Sequence, residues 1–439
     1  MVSIPFSKNK HHLTGIDWIV HAFDYMNKRA TGAGNAFQIV MEFDDVVPED
    51  ELRSCLDCFV SKFPVLGGRT KRDYNLAPYW KMPSAAGRTP VALDVHHVGN
   101  DRDVPPLLEM EVNRPFGSER EHLAFHLICT EQKSYVAATF DHRLFDAHGA
   151  EAFLGMFQRD CDQQGACSWD IDLREPAHLS HWQRKFDAGR EVNRAFLRLA
   201  ENAPPRVLPL TPELRRQGFK FSVTSFDEQQ SKAIMERAES EAGYLMVMPY
   251  TLALTVQILH GIFRNRGIDS GDYVIPVTMD TRPRSKVAHE VFFNHVSFLL
   301  FRIQAHEVDD FSALLKSIKE QMYDQARAGL TRDLWEASFL MRIVPLRILR
   351  RLMGLYLKGE LASFCFSFVG ETGHMLTRLM GSEVDRSYHM TRVPIPPGLG
   401  LFFHQSQGRL NAYVSYLEGL LSEDEVEAVV AALKSRLGC

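Results

Sequence analysis

Strand-like and helix-like segments alternate in both halves of the chain, and this alternation constrains the fold more than any other feature of the sequence. In the first half, Ala36–Phe43 has the alternating apolar pattern of a strand, and Pro48 with the acidic residues after it favours the start of a helix. In the second half, strand-like residues 220–225 precede helix-like residues 227–242. A length of 439 residues suits two domains of about 200 residues each, so the sequence predicts two α/β domains.

Further segments continue this pattern to the end of the chain. A hairpin is predicted where strand-like residues 122–130 and 133–140 are separated by Glu131-Gln132. A helix at residues 422–437 begins with Ser422 and Glu425 in the spacing of a capping box. The remaining predicted helices and strands are helices at 148–157, 245–263 and 308–327, and strands at 272–278, 295–303, 363–369, 399–404 and 410–416.

Composition predicts the boundary between the domains. Residues 161–205 are polar and contain Gln163-Gln164-Gly165 and Ala203-Pro204-Pro205, which favour turns. We therefore predict an N-terminal domain at residues 1–175, a crossover linker at 176–215 and a C-terminal domain at 216–439.

Charge and cysteine content exclude several classes of protein. The chain has 50 Lys and Arg against 55 Asp and Glu, so it lacks the basic excess of a dedicated nucleic-acid binder. Its seven Cys are an odd number scattered over a long chain, unlike a disulfide framework. Cys55 and Cys58 form a C-x-x-C within a predicted helix, and no second C-x-x-C completes a zinc site. We expect buried helix thiols, with redox or metal chemistry as the alternative.

Two apolar segments bear on membranes. The N-terminal residues 1–10 have no apolar core of a signal peptide, so we expect a soluble cytoplasmic protein. The uncharged run 245–263 approaches the length of a membrane span, but Pro249, Gln257 and His260 interrupt it, which favours a buried helix.

Residues 338–362 mix apolar residues with Arg and Lys. A packed helix with arginines reaching outward is expected there, and a surface for a membrane, a long acyl chain or an acidic carrier protein is the alternative.

Candidate catalytic residues occur where a predicted strand turns into a helix, in the segment from Asp141 to Ala150. His142 ends the strand, and histidine is the side chain suited to accept a proton near neutral pH. Asp146 lies four residues later and can fix the turn by pairing with a distant cation. Other interpretations stay open: Asp146 as only the helix N-cap, His142 without a role, or His142, Asp146 and His148 as metal ligands.

This segment resembles the H-x-x-x-D motif of the CoA-dependent acyltransferase superfamily, which includes chloramphenicol acetyltransferase, condensation domains of nonribosomal peptide synthetases, wax ester synthases and plant BAHD enzymes. Residues 146–153 match the BAHD continuation D-G-x-G-A-x-x-F except that Ala147 replaces glycine. About 140 residues later, residues 280–284 resemble the D-x-R-x-R segment, and Phe293-Asn294 follows where relatives have F-x-N or G-N.

The resemblance extends at low identity over essentially the whole chain, because residues 363–370 and 398–416 resemble the channel-lining strand and the closing elements of these proteins. Three features depart from the family. Asp141 stands where condensation domains have a second histidine, the BAHD D-F-G-W-G motif is absent, and Ala147 adds a Cβ to the turn. These departures leave the subfamily and the substrate open.

The resemblance implies two chloramphenicol acetyltransferase-like two-layer domains with mixed sheets and an active-site tunnel at their interface. His142 would be the general base for direct attack of a hydroxyl or amine on a thioester, without an acyl-enzyme. Asp146 would pair with Arg282 and hold the turn. Candidates for the tunnel wall are Asp141, Gly149, Asn294 and Ser367; Asn294 and Ser367 are also weak candidates for oxyanion donors, with structural roles as the alternative.

Partners and co-substrates follow from the same resemblance. No bound cofactor or metal is expected; an acyl-CoA or phosphopantetheinyl thioester is the co-substrate, with a small-molecule acceptor and an acyl or peptidyl carrier protein as a further partner. A monomer is the default, since one chain makes the tunnel. One competing hypothesis is a condensation-like module that recruits a carrier protein without catalysis. Another is a related reaction on the same fold, such as cyclisation or thioester hydrolysis.

Overall fold

The computed structural model describes residues 9–83, 91–173, 181–201 and 204–438. Its helices are α1 (Gly15–Thr31), α2 (Glu49–Val60), α3 (Val104–Asn113), α4 (Ala147–Asp162), α5 (Trp182–Ala200), α6 (Glu228–Ala242), α7 (Val247–Asn265), α8 (Phe311–Ala328), α9 (Leu330–Met341), α10 (Leu346–Met353) and α11 (Glu423–Leu437). Its strands are β1 (Lys10–His12), β2 (Ala36–Phe43), β3 (Arg69–Arg72), β4 (Pro78–Lys81), β5 (Ala92–His97), β6 (Leu123–Cys129), β7 (Ser134–Asp141), β8 (Phe219–Ser225), β9 (Tyr273–Asp280), β10 (Val296–Ile303), β11 (Cys365–Val369), β12 (Arg378–Leu379), β13 (Ser382–Thr391), β14 (Leu399–Ser406) and β15 (Arg409–Leu417).

Two six-stranded sheets form the centre of the molecule. The first sheet has the order β12-β13-β2-β7-β6-β5, and the second has the order β10-β9-β11-β14-β15-β8. Both are mixed, because β5 runs parallel to β6, and β11 runs parallel to β9 and β14, while the other neighbours are antiparallel. A smaller sheet, β1-β4-β3, lies beside them. The α/β class with mixed sheets is therefore confirmed.

A segment from the second half of the chain joins the first sheet. Strand β13 follows the second-sheet strand β11 in sequence, yet it pairs antiparallel with β2 of the first sheet. The predicted C-terminal domain at 216–439 therefore contributes two strands, β12 and β13, to the sheet of the predicted N-terminal domain. Residues 174–180 and 202–203, where one domain boundary and part of the linker were predicted, lie outside the described residues. The boundaries stay a prediction.

The predicted linker contains a helix that its polar composition concealed. Helix α5 has 19 residues, and it buries a narrow row of apolar side chains while Trp182, Phe186 and Leu197 remain exposed. Ala195, Phe196 and Leu199 pack with Leu300 of β10 in a small apolar cluster, and Lys185 of α5 is buried beside Glu336. A narrow apolar stripe is enough to hold a helix that already has a surface to pack on.

Helix α7 is the buried helix expected from the uncharged run, since it packs in the apolar core that also contains buried residues of the second sheet. Within the described ranges, no helix alone has the length and apolar character needed to cross a bilayer. Helices α6 and α7 meet that requirement only as a pair, and the pair is bent by 93° at its junction.

Two smaller predictions about side-chain burial are partly wrong. Cys55 and Cys58 lie on α2 as expected, but Cys55 is half-buried and Cys58 is exposed, because α2 buries its Leu52, Leu56 and Phe59 face. In α10, Leu349 is buried while Ile348 remains 50% exposed. Helix α10 therefore packs on the protein along one narrow face, and its outer face exposes both apolar and basic side chains.

Candidate active site

The turn after β7 is held by a buried charge network around Asp141. The Asp141 carboxylate accepts a hydrogen bond from His122 Nδ1 at 2.7 Å and from Arg143 Nη2 at 2.6 Å. Burial alone would raise the pKa of Asp141, but the Arg143 charge and the His122 hydrogen bond hold that pKa well below its usual range. Asp141 therefore fixes the end of β7 and is not among the residues that line the cavity described below, which corrects its assignment to the tunnel wall.

His142 is fixed through its backbone on both sides. Its N–H donates to the Asn35 carbonyl at 3.0 Å, and its carbonyl accepts from Asn294 Nδ2 at 2.9 Å. The imidazole packs edge-on against Phe37, with ring centroids 5.2 Å apart. Nδ1 is buried and has no hydrogen-bond partner among the described residues. The ring is therefore positioned by the main chain and by apolar packing.

Asp146 is both an N-cap and half of a buried ion pair. Its Oδ1 accepts from the Gly149 N–H at 2.9 Å, which caps α4, and its Oδ2 accepts from the His295 N–H at 2.9 Å. Arg282 Nη2 donates to the two carboxylate oxygens at 2.7 and 2.8 Å. Burial would raise the pKa of Asp146, but the Arg282 charge lowers it far below the usual value. Asp146 therefore both caps α4 and pairs with Arg282, the two roles that were considered for it from the sequence.

Arg282 connects the segment between β9 and β10 to the turn after β7. Its side chain is fully buried, and Nε donates to the Glu290 carbonyl at 2.8 Å while Nη1 donates to Asp280 Oδ1 at 3.1 Å. Nearby, the Phe293 N–H donates to the Leu144 carbonyl at 2.6 Å, and Phe293 has a φ of 69°, which non-glycine residues seldom adopt. The side chain of Arg284 lies outside the described part of the chain.

A cavity of about 220 Å³ lies between the two sheets at this turn. Its wall includes Phe37 of β2 and His389 of β13 on one side, and Thr278 of β9 and Phe366 of β11 on the other. Of the predicted site residues, those in the wall are His142, Asp146, Arg282 and Ser367. The wall is mostly apolar, with a hydroxyl pair where Ser367 Oγ lies 3.0 Å from Thr278 Oγ1.

Asn294 and Gly149 were predicted for the tunnel wall, but neither lines this cavity. Asn294 is buried, and its amide nitrogen is committed to the His142 carbonyl, so it serves the backbone. Gly149 is needed for close packing: a Cβ there would lie 2.2 Å from the Val291 carbonyl oxygen. Ala147, which replaces a family glycine, is the first residue of α4, where a Cβ is accommodated without a left-handed backbone.

Replacing Gly149 by alanine should therefore destabilise the protein by about 1–3 kcal/mol, the usual cost of overpacking. The matched control is Gly261→Ala on α7, where an added Cβ meets no atom within 4 Å. That control should be neutral or stabilising by about 0.5–1 kcal/mol, since alanine suits a helix better. Urea unfolding of both variants measures the difference. Equal stability of the two variants would show that the Val291 contact relaxes freely.

Buried acids and histidines in and behind the cavity wall form contacts that the sequence did not predict. Asp280 Oδ2 lies 2.6 Å from His148 Nδ1, and this hydrogen bond raises the pKa of His148 although burial opposes it. Deeper, Glu151 Oε1 lies 2.9 Å from His404 Nε2 and 3.3 Å from His389 Nε2. Burial lowers the pKa of His389 to about 4, so this imidazole is neutral near pH 7. These contacts join residues that are far apart in sequence, so no local sequence pattern predicts them.

These contacts also bear on the alternative in which His142, Asp146 and His148 bind a metal. Both Asp146 oxygens are occupied by Arg282, and His148 Nδ1 is hydrogen-bonded to Asp280. A metal at this position would have to displace a buried ion pair, and breaking such a pair costs several kcal/mol. The geometry therefore favours the ion-pair interpretation.

Three solved structures have the same fold over nearly the whole chain. A trichothecene 15-O-acetyltransferase from Fusarium sporotrichioides superposes with a TM-score of 0.70 at 12% identity, covering 98% of this chain and 95% of its own. The starter condensation domain of rhizomide synthetase, in complex with C8-CoA and Leu-SNAC, gives 0.67 at 11%, covering 98% and 93%. The epimerization domain from the third module of tyrocidine synthetase B gives 0.63 at 12%, covering 98% and 96%.

No protein-family model and no curated protein sequence matches the chain. The structural similarity at such low identity establishes the fold and does not decide among the reactions of these relatives. An acetyltransferase, a condensation domain and an epimerization domain share this architecture. The chain has the same fold as these acetyltransferase, condensation and epimerization domains, and this is the fold that the H-x-x-x-D resemblance predicted.

Proposed function

We propose that this protein is an acyltransferase that moves an acyl group from a thioester to a hydroxyl or amine, with His142 as the general base. The observation that carries the proposal is the placement of His142 in the wall of a cavity between two sheets, with its backbone fixed by Asn35 and Asn294. General acid–base catalysis requires a proton acceptor held at the site of reaction, and this geometry supplies one. Related proteins of the same fold include an O-acetyltransferase.

In the proposed reaction, His142 removes the proton of the acceptor hydroxyl or amine while the acceptor oxygen or nitrogen attacks the thioester carbonyl. The tetrahedral intermediate then expels the thiolate, and His142 returns the proton to that sulfur. Nδ1 is buried, so we assign proton transfer to Nε2. No acyl-enzyme forms, and the bonds made and broken balance without an added oxidant or metal.

Asp146 and Arg282 have a positioning role in this proposal. The hydrogen bonds of Asp146 to the described residues go to Arg282 and to the backbone N–H groups of Gly149 and His295, so the carboxylate holds the turn and does not exchange protons with substrate. Ser367 and Thr278 share one hydrogen bond in the wall, so one of the two hydroxyls keeps its O–H to donate to the substrate. The apolar remainder of the wall suits an acceptor with an apolar body. One chain supplies both sides, which supports a monomer as the working form.

The test measures thiol release from acyl-CoA thioesters of short, medium and long chains, with pooled alcohols and amines as acceptors. A parallel series uses the same acyl groups on a phosphopantetheinyl carrier protein. We expect release that requires an acceptor, together with an ester or amide product detected by mass spectrometry. Acceptor-independent release would indicate thioester hydrolysis. Carrier binding without turnover in either series would replace the proposal with a non-catalytic recruiting module.

A further inference from the structure

A second group of histidines and a carboxylate lies at the edge of the first sheet, outside the cavity wall. His96 is on the edge strand β5, and His126 is on its parallel neighbour β6. The strand register places His126 opposite Asp94, so residues 94, 96 and 126 share the face that α3 covers. Glu111, near the end of α3, points its carboxylate between the two imidazoles. None of these residues takes part in the proposed reaction.

The distances in this group are too long for hydrogen bonds but suit a metal ion. Glu111 Oε1 lies 3.6 Å from His96 Nε2, and Glu111 Oε2 lies 3.6 Å from His126 Nδ1. The donor atoms of all three residues lie within 4.8 Å of one another. Tetrahedral zinc, with Zn–N and Zn–O distances of about 2.0–2.2 Å, separates neighbouring donor atoms by about 3.3–3.6 Å. Each of the two measured separations is close to one edge of such a tetrahedron, and the two end on different oxygens of the Glu111 carboxylate.

His126 supplies an independent observation that points to a ligand. Its side chain is only 3% exposed, and among the described residues neither Nδ1 nor Nε2 has a hydrogen-bond partner. Buried polar groups without a partner are rare in proteins, and an ion is one of the usual reasons for an exception.

The charges around the group are compatible with a divalent cation. Arg114 Nη1 lies 3.5 Å from Glu111 Oε2, but it lies closer to Asp94, at 2.9 Å, and its side chain is 62% exposed. Arg114 can therefore keep Asp94 as its partner when Glu111 binds a cation. His96 remains 24% exposed, which leaves solvent access for entry of the ion and for a water in a fourth position.

The other buried group of the same composition behaves differently. At Glu151, the carboxylate is 2.9 Å from His404 Nε2, which is a direct hydrogen bond, and Thr372 Oγ1 donates to its second oxygen at 2.9 Å. The His389 and His404 rings stack with centroids 4.0 Å apart, and both Nε2 atoms face Glu151 Oε1. The Glu151 group therefore contains a direct histidine–carboxylate hydrogen bond, whereas the group around Glu111 has none; His389 Nε2 and His404 Nδ1 also lack a hydrogen-bond partner among the described residues.

We propose that His96, Glu111 and His126 form a zinc site with its fourth position open to solvent, which fastens the edge strand β5 and helix α3 to the first sheet. Two imidazoles and a carboxylate are a recognised ligand set for this ion. The site lies apart from the cavity, so zinc here acts on the stability of the fold.

The test uses the full chain after removal of metals with a chelator. Zinc binding is measured by competition with a chromophoric chelator, and Co²⁺ substitution reports coordination through its visible absorption. We expect one zinc per chain whose dissociation constant rises at least about 100-fold in His96→Ala, since even outer-shell changes cost 10- to 100-fold. Glu111→Gln should behave similarly. The matched control is His97→Ala, the next residue of β5, which is exposed and should bind zinc like the unchanged protein.

His126 is left intact in these variants because its deep burial would confound folding with binding. Zinc should also raise the thermal midpoint of the unchanged protein and of His97→Ala, but not that of His96→Ala. The proposal is overturned when the unchanged protein binds no zinc. It is equally overturned when His96→Ala binds zinc as tightly as His97→Ala does, because the ion then sits elsewhere, such as at the thiols or at Glu151.

Discussion

Replacing His142 by alanine is expected to lower acceptor-dependent thiol release by about 10²–10⁴-fold, the usual contribution of a general acid–base group. The free energy of unfolding should change by no more than about 1 kcal/mol, because the half-buried imidazole makes an edge contact with Phe37 but no hydrogen bond to another side chain among the described residues. Steady-state rates with saturating acceptor, together with urea unfolding, separate the two effects.

Two histidine variants sharpen this experiment. His306→Ala alters an exposed residue outside the cavity wall and should leave the rate unchanged. His148→Ala alters a wall residue whose Nδ1 is bound to Asp280, so it should lower the rate far less than His142→Ala. The opposite order, with His148 essential and His142 dispensable, would move the proton acceptor to His148. Full activity of both would exclude His142 and His148 as the base and would leave His389 as the histidine of the described wall to be tested.

The parts of the fold that the sequence predicts well are those specified by neighbouring residues. Strand β2 has the predicted bounds, and the hairpin of β6 and β7 lies where two apolar runs meet across two polar residues. The capping box at α11 is present, with the Ser422 hydroxyl accepting from the Glu425 N–H. Each of these depends on a period or a cap within a few residues, which is the information a single sequence carries.

The parts that could not be predicted depend on contacts between distant residues. The pattern of β13 indicates a strand but not its partner, and pairing with β2 joins residues such as Tyr388 and Val40 that are far apart in the chain. The group of Glu151, His389 and His404 assembles in the same way, from one helix and two strands. Long-range pairing is set by packing of the whole core, so no local window reveals it.

The candidate site was predictable to the extent that its spacing forms a motif. His142, Asp146 and Arg282 follow from the H-x-x-x-D and D-x-R-x-R resemblance, and the expected ion pair of Asp146 with Arg282 is present. Asn294 was selected for its polar side chain, but the structure commits that side chain to the His142 carbonyl. The direction in which a side chain points is fixed by its backbone and neighbours, and spacing alone does not supply it.

Replacing Asp146 by alanine is expected to lower the free energy of unfolding by about 3–5 kcal/mol. The variant leaves the buried Arg282 guanidinium with Asp280 as its remaining carboxylate partner, and it removes the N-cap of α4, a loss that alone costs about 1 kcal/mol. Because the turn carries His142, activity should fall together with stability. Urea unfolding at pH 7 measures the first effect, and thiol release at a temperature well below the transition measures the second.

Two further variants separate the charge of Asp146 from its cap. Asp146→Asn retains an oxygen for the Gly149 N–H and should be less destabilised than Asp146→Ala. The double variant Asp146→Ala with Arg282→Met removes both charges. Its loss of unfolding free energy should be smaller than the summed losses of the two single variants, by about 0.5–3 kcal/mol of coupling. Additive effects would contradict a coupled ion pair.

The pH dependence provides a last check on the same pair. The pKa of Asp146 is depressed in the folded protein, so its charge contributes stability in full above the unfolded pKa of about 3.9 and loses that contribution as pH falls through the folded pKa. The stability gap between the unchanged protein and Asp146→Asn should therefore be constant from neutral pH down to about pH 5 and narrow only in stronger acid. A gap that closes between pH 7 and 6 would assign the effect to a histidine, with His148 as the nearest candidate because its raised pKa depends on Asp280, which also binds Arg282.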